Sequence, residues 1–148
     1  MKKSRLTVWY FLVLGLLLPS APVFGADWKL CSENEFLSLY FDAARLTRAD
    51  NDTVKVWVRY IPKGKKGREF WAQIRNLDKV PPKQFRHYGS SVILYELHCY
   101  DKVYRLISGI DYDRDNRMVA EMPLSSWKPI YPDSLIESLL PVLCRNIL

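Results

Sequence analysis

Three cysteines, two histidines and a run of alternating aspartates are the residues of this 148-residue chain best suited to chemistry. Histidine catalysis needs a nucleophile or acid alongside, and a metal needs further ligands at set spacing. His87 and His98 have neither in sequence. No C-x-x-C joins Cys31, Cys99 and Cys144, so neither a thioredoxin-type redox site nor a zinc knuckle is indicated. Asp111-x-Asp113-x-Asp115 opens like a calcium loop, but the sixth position is Asn116 where glycine belongs, and the twelfth is Met122 where glutamate belongs. The run reads instead as an acidic hairpin turn. Ser125-Ser126-Trp127-Lys128 contains S-x-x-K, without the S-D-N and K-T-G that penicillin-binding enzymes require. The expectation is a non-enzymatic chain with no catalytic residue, no metal site and no cofactor.

Two other groups suit binding. Lys63, Lys65, Lys66 and Arg68 form a basic run with the chemistry to hold an acidic polymer. Trp57 and Arg59 share the more polar face of one strand, and aromatic residues with arginine are what recognition surfaces accumulate. Both groups have plainer readings, as a solvated loop and as sheet packing.

The elements that must position these residues can be read from periodicity. Phe36 to Asp42 is an aromatic-rich strand. Thr53 to Ile61 is the clearest strand: Val54, Val56, Val58 and Tyr60 fall on one face, Lys55, Trp57, Arg59 and Ile61 on the other. Lys63 to Arg68 reads as a flexible loop, and Glu69 to Asn76 as a short helix stopped by Pro81-Pro82. Val92 to Tyr100, Val103 to Tyr112 and Arg117 to Met122 form a meander whose short connections imply antiparallel pairing. A terminal helix follows, with Ser134 and Glu137 spaced as a capping box and Pro141 expected to kink its last turn. The fold class is α+β: an antiparallel sheet of about five to six strands with the C-terminal helix packed over one face.

Residues 1–25 read as a signal peptide. Lys2, Lys3 and Arg5 precede the apolar stretch Leu6 to Leu18, and Val23-Phe24-Gly25 supplies a cleavage site. Thirteen residues make a helix of about 20 Å, short of a roughly 30 Å bilayer core. Residues 26–148 are then one exported domain, periplasmic or secreted, with no later transmembrane helix. No cysteine directly follows the cleavage site, so a lipid anchor is not expected. The leader takes three of the 22 basic residues and none of the 16 acidic ones, so the net charge falls from +6 to +3. That charge gives little reason to expect nucleic acid as a partner. An oxidising compartment predicts at least one disulfide among the three cysteines, with one thiol left over or paired to another chain.

The C-terminal half carries a pattern. A strand ends in Cys99, and a tyrosine-rich hairpin follows with Tyr104, Tyr112 and the turn Asp113 to Asn116. Ser126-Trp127-Lys128-Pro129-Ile130-Tyr131-Pro132-Asp133-Ser134 then leads to a helix and Cys144. This resembles the surface-adhesin protein E family, in which a W-x-x-I-x-P-x-S segment precedes the final helix. Trp127, Ile130, Pro132 and Ser134 are the matching positions. Trp28, Leu39 to Asp42 and Val54, Val56 and Trp57 agree more loosely. The resemblance implies an antiparallel sheet with a packed helix stapled by a Cys99–Cys144 disulfide. Closing about 45 residues that way contributes about 4 kcal/mol in the chain-entropy model. It also implies binding of macromolecules, a protein or an envelope or extracellular polymer, and its dimeric founding member makes a homodimer an expectation. The alternative is a structural or accessory envelope protein acting through self-association or a subunit partner, for which an exposed edge strand suffices.

Overall fold

A computed structural model describes residues 25–50, 52–77 and 80–145. The leader lies outside the described residues, save Gly25 at its end. Among the described residues no helix is long and apolar enough to cross a membrane.

The alternating segment forms the centre of the sheet. Strand β4 (Thr53–Pro62) pairs antiparallel with β2 (Leu37–Asp42) on one side and with β5 (Tyr88–His98) on the other. Strand β5 continues to β6 (Val103–Asp113) and β6 to β7 (Met118–Met122), while β1 (Trp28–Glu33) pairs with β2 at the opposite edge. Two short strands, β3 (Thr47–Arg48) on β4 and β8 (Lys128–Pro129) on β6, complete an eight-stranded antiparallel sheet. The count exceeds the expected five to six because β1, β3 and β8 are edge pieces of two to six residues, too short or too polar to show a period.

The register puts the apolar set on one face. Val54, Val56 and Val58 lie opposite Leu97, Tyr95 and Ile93, and Leu39 lies opposite Tyr60. These side chains are buried with Leu37, Phe41, Trp71, Phe85, Tyr88, Met122, Leu139 and Leu143 in one core.

Helix α1 (Gly64–Leu77) covers part of that face. The basic run is therefore not a loop, as expected, but the first turn of this helix. Gly64 takes φ 62° and turns the chain out of β4. The Lys63 N–H donates to the Phe36 carbonyl at 2.7 Å, fixing the start. Gly67 then passes so close to that strand end that a Cβ would sit 2.2 Å from the Phe36 oxygen. One turn on, Trp71 stacks between Tyr60 and Tyr88, at 5.1 and 5.9 Å between ring centroids.

The C-terminal helix is shorter than its apolar run suggests. A 3-10 turn, Glu137–Leu139, leads into α2, Leu140–Leu143. Pro141 sits in the first turn of α2, where a missing N–H costs nothing, and does not kink the last turn. Cys144 closes the disulfide to Cys99, with Cα atoms 5.8 Å apart and both residues buried. The staple holds Leu139 and Leu143 in the core that α1 leaves uncovered.

Candidate functional site

Alternation in β4 fixes where Trp57 and Arg59 point. Their neighbours Val56, Val58 and Tyr60 are buried under α1 and the C-terminal segment, so Trp57 and Arg59 stand on the other face of the sheet. Cross-strand pairing builds rows around them. Tyr40, Arg59, Val92 and Ile110 form one row, and Trp57, Leu94 and Ser108 form the next. The larger side chains of both rows are half-buried against one another. Ser90 accepts a long hydrogen bond from Arg59 Nη2 at 3.4 Å, while Arg59 Nε is enclosed with no acceptor. A shallow groove of about 420 Å³ runs between Trp57, Val92, Ile110 and Tyr112, with Arg45 and Glu121 at its rim.

Polar contacts border this face beside Trp57. Arg45 reaches back from the 3-10 turn Ala43–Arg45, ion-paired to Asp42, with its guanidinium 5.9 Å from the Trp57 ring centre. In the next row Glu96 is buried between Lys55, 3.6 Å away, and Arg105. Trp127 covers Arg105 at 4.6 Å and meets the His98 ring edge-on at 6.3 Å. His98 Nδ1 lies 2.6 Å from Asp52 and 3.2 Å from Asp101. His98 thus sits half-buried between two aspartates, and His87 is exposed.

The basic residues lie on the opposite side of the molecule. Lys63 is ion-paired to Glu33 at 2.8 Å, and Lys65 lies 3.7 Å from Glu69. Lys66 is exposed and Arg68 half-buried on α1. The two expected binding groups therefore belong to separate surfaces with the sheet between them.

Trp127, Ile130 and Ser134 of the tryptophan-proline segment have structural partners. Trp127 packs as described. The Ile130 N–H donates to the Lys102 carbonyl at 2.8 Å, and its side chain packs on the core. Pro132 is exposed. Ser134 Oγ accepts from the Glu137 N–H at 3.2 Å, half of the expected capping box. The other half is displaced: Glu137 accepts from the Asp133 N–H at 2.7 Å, not from Ser134.

The aspartates separate as well. Asp113 accepts from the N–H groups of Asp115 and Arg117, at 2.8 and 2.9 Å, and so builds the β6–β7 turn. Those backbone bonds and the Arg117 guanidinium hold its carboxyl below the ordinary aspartate range. Asp111 turns inward, away from Asp113. It accepts from Trp71 Nε1 at 3.1 Å, from Arg75 Nε at 2.8 Å and from Ser91, whose oxygen is 2.6 Å from Tyr88 Oη. This buried cluster fastens α1 to the sheet. Among the described residues no three His, Cys, Asp or Glu side chains gather as a metal site would require.

Cys31 is the extra residue of a bulge in β1, between Leu30 opposite Tyr40 and Ser32 opposite Leu39. The bulge turns its thiol toward the C-terminal segment, where Sγ donates to the Ser138 carbonyl at 3.3 Å. Burial raises its pKa, and the Ser138 hydroxyl only partly offsets this.

Sequence reasoning located Trp57 and Arg59 but missed Tyr40, Arg45, Val92 and Ile110, which lie on other elements. The β-sheet register brings in Tyr40, Val92 and Ile110, and the 3-10 turn after β2 brings in Arg45.

No curated protein and no solved structure matches the chain significantly. Residues 28–145 match the family model described as surface-adhesin protein E, which covers the whole sheet, α1 and the disulfide, and the chain belongs to that family.

Proposed function

We propose that this chain is an exported, non-enzymatic binding domain that holds a protein or an envelope or matrix polymer on the open face of its sheet. The observation that carries the reading is the placement of Trp57 and Arg59. They lie among Tyr40, Val92, Leu94, Ile110 and Tyr112 on the face opposite α1 and the core. Half-buried aromatic and aliphatic groups around an arginine give a partner apolar area to cover and a charge to pair, the composition of an energetic interface centre. Membership of a surface-adhesin family supports the same role. The leader read in residues 1–25 supplies the export route, and residues 26–148 are the working domain.

The experiment is a solid-phase panel: purified oxidised protein against immobilised matrix proteins, envelope proteins and envelope polymers. Binding to at least one component, lost in Trp57→Ala, supports the reading. Failure to retain any component above background overturns it.

A second reading, self-association of an accessory envelope protein, is favoured by the edges. Strands β1 and β7 each pair on one side only, and their Leu30 and Met118 are 53% and 60% exposed. Light scattering decides between them, since a strict monomer up to high concentration removes self-association.

A further inference from the structure

Charge is segregated in this chain. Residues 63–87 hold eight Lys and Arg against two Asp and Glu, whereas the rest of 26–148 holds eleven against fourteen. The positive excess of the domain thus lies in α1 and the segment that packs behind it, the 3-10 turn Pro82–Phe85. Two of those cations are taken: Lys63 by Glu33, and Arg75 by Asp111 inside the protein. Among the described residues Lys66 and Lys83 are exposed, and Lys65, paired to Glu69 at 3.7 Å, lines a groove with Arg68 and Arg86.

That groove, of about 470 Å³, runs along α1 and is lined by Lys65, Arg68, Glu69, Ala72 and Gln73, with Phe85 and Arg86 across from them. The helix residues are three, four, seven and eight positions beyond Lys65, one continuous stripe of the helix. Glu69 is the one carboxylate among the lining residues. Arg68 and Arg86 have no ion-pair partner among the described residues. The stripe from Lys65 to Gln73 is about 12 Å long at the rise of an α-helix, more than one small anion needs.

We propose that this groove binds an acidic polysaccharide, with sulfate or carboxylate groups meeting Lys65, Arg68 and Arg86. Guanidinium groups take such anions in two parallel hydrogen bonds. Two features set a glycan above other polyanions. The aromatic ring in the groove, Phe85, is 2% exposed, so no stacking platform is offered to the bases of a single strand. The surface is concave, with Ala72 and Gln73 at its end, and among the described residues that line it no large apolar side chain is exposed to enter a bilayer. This site is separate from the open sheet face, and the two stand or fall independently.

The test is titration of the purified oxidised protein with a heparin-type sulfated polysaccharide at physiological salt. Wild type should bind, and Arg68→Glu with Arg86→Glu should weaken binding at least tenfold. Arg114→Glu with Lys128→Glu makes the same charge change outside the groove and should stay within threefold. Trp57→Ala should bind the glycan as wild type does. Circular dichroism checks the fold, and Lys65→Gln with Arg86→Gln, both exposed, replaces the first pair if that pair unfolds. No binding by wild type overturns the proposal. So does an equal loss in the Arg114 and Lys128 control, or equal affinity for a single-stranded oligonucleotide or for vesicles of anionic lipid.

Discussion

Arg75 Nε lies 2.8 Å from Asp111 Oδ2, with the Arg75 side chain 5% and the Asp111 side chain 0% exposed. A charge pair this deep fixes where α1 sits, because moving the helix would separate the charges in a medium that solvates neither. Asp111 also accepts from Trp71, one turn earlier on the same helix, so two points of α1 are tied to a single carboxylate.

Removing that carboxylate should be costly. Asp111→Ala leaves the Arg75 guanidinium without this partner and Trp71 Nε1 without its acceptor. The expected loss is about 3–5 kcal/mol, the range for breaking a buried pair from one side. Urea unfolding followed by tryptophan fluorescence measures it. A loss below about 1 kcal/mol would mean that the pair does not hold the helix.

The Cys99–Cys144 bridge joins residues 45 apart in sequence and encloses β6, β7 and β8. Cys144→Ala should destabilise the domain by about 4 kcal/mol if chain entropy dominates. Leu139 and Leu143 should then become accessible, since the bridge secures their segment. Denaturant midpoints of the oxidised and reduced wild type provide the check. Cys31→Ala, with its thiol inside the fold and outside the bridge, should keep the oxidised midpoint close to wild type.

Gly67 gives a steric prediction. A Cβ there meets the Phe36 carbonyl at 2.2 Å, and that atom is backbone, held by Lys63. Gly67→Ala should therefore cost about 1–3 kcal/mol by forcing α1 off the sheet, although alanine is the better helix former. Thermal unfolding tests this, and a stabilised variant would contradict the close approach.

The pH dependence follows from two sets of groups. At Asp42 burial pushes the carboxyl up, but Arg45 and the N–H groups of Asp27 and Ala44 outweigh it and leave the pKa lowered. Asp50 is lowered chiefly by the Asp52 N–H and the Thr53 hydroxyl, and Asp113 by Arg117. Lowered carboxyl pKa values contribute stability above the unfolded value of about 4, and that stability is lost as pH falls through the folded values. Burial raises Tyr60, Tyr88 and Tyr95, so their contribution is complete below about 10 and lost as pH climbs further. Denaturant midpoints should be flat near neutrality, fall below about pH 4 and fall again above about pH 10.

Much of the sheet was legible because β4 carries the period-two pattern of a half-buried strand and short turns join β5, β6 and β7 into a meander. The start of α1 was not legible. Gly64, Gly67 and four cations surround no apolar residue before Phe70, so the helical period begins one turn late. Strand β1 escaped because Trp28 to Glu33 is a bulged edge strand with three exposed residues, and bulging breaks alternation. At the site, Trp57 and Arg59 were visible as neighbours in one strand. Tyr40 and Val92 flank Arg59 only through hydrogen-bond register, which composition does not encode.

The central claim is that the open sheet face binds a macromolecule, and equilibrium binding by biolayer interferometry tests it most directly. The ligand is the matrix or envelope component that the wild type retains in the solid-phase panel. Trp57→Ala with Arg59→Ala should weaken that binding at least tenfold, with the fold intact by circular dichroism. Lys65→Gln with Arg86→Gln, across the sheet, should leave it within threefold. A Trp57 and Arg59 double variant that binds as tightly as wild type would contradict the account.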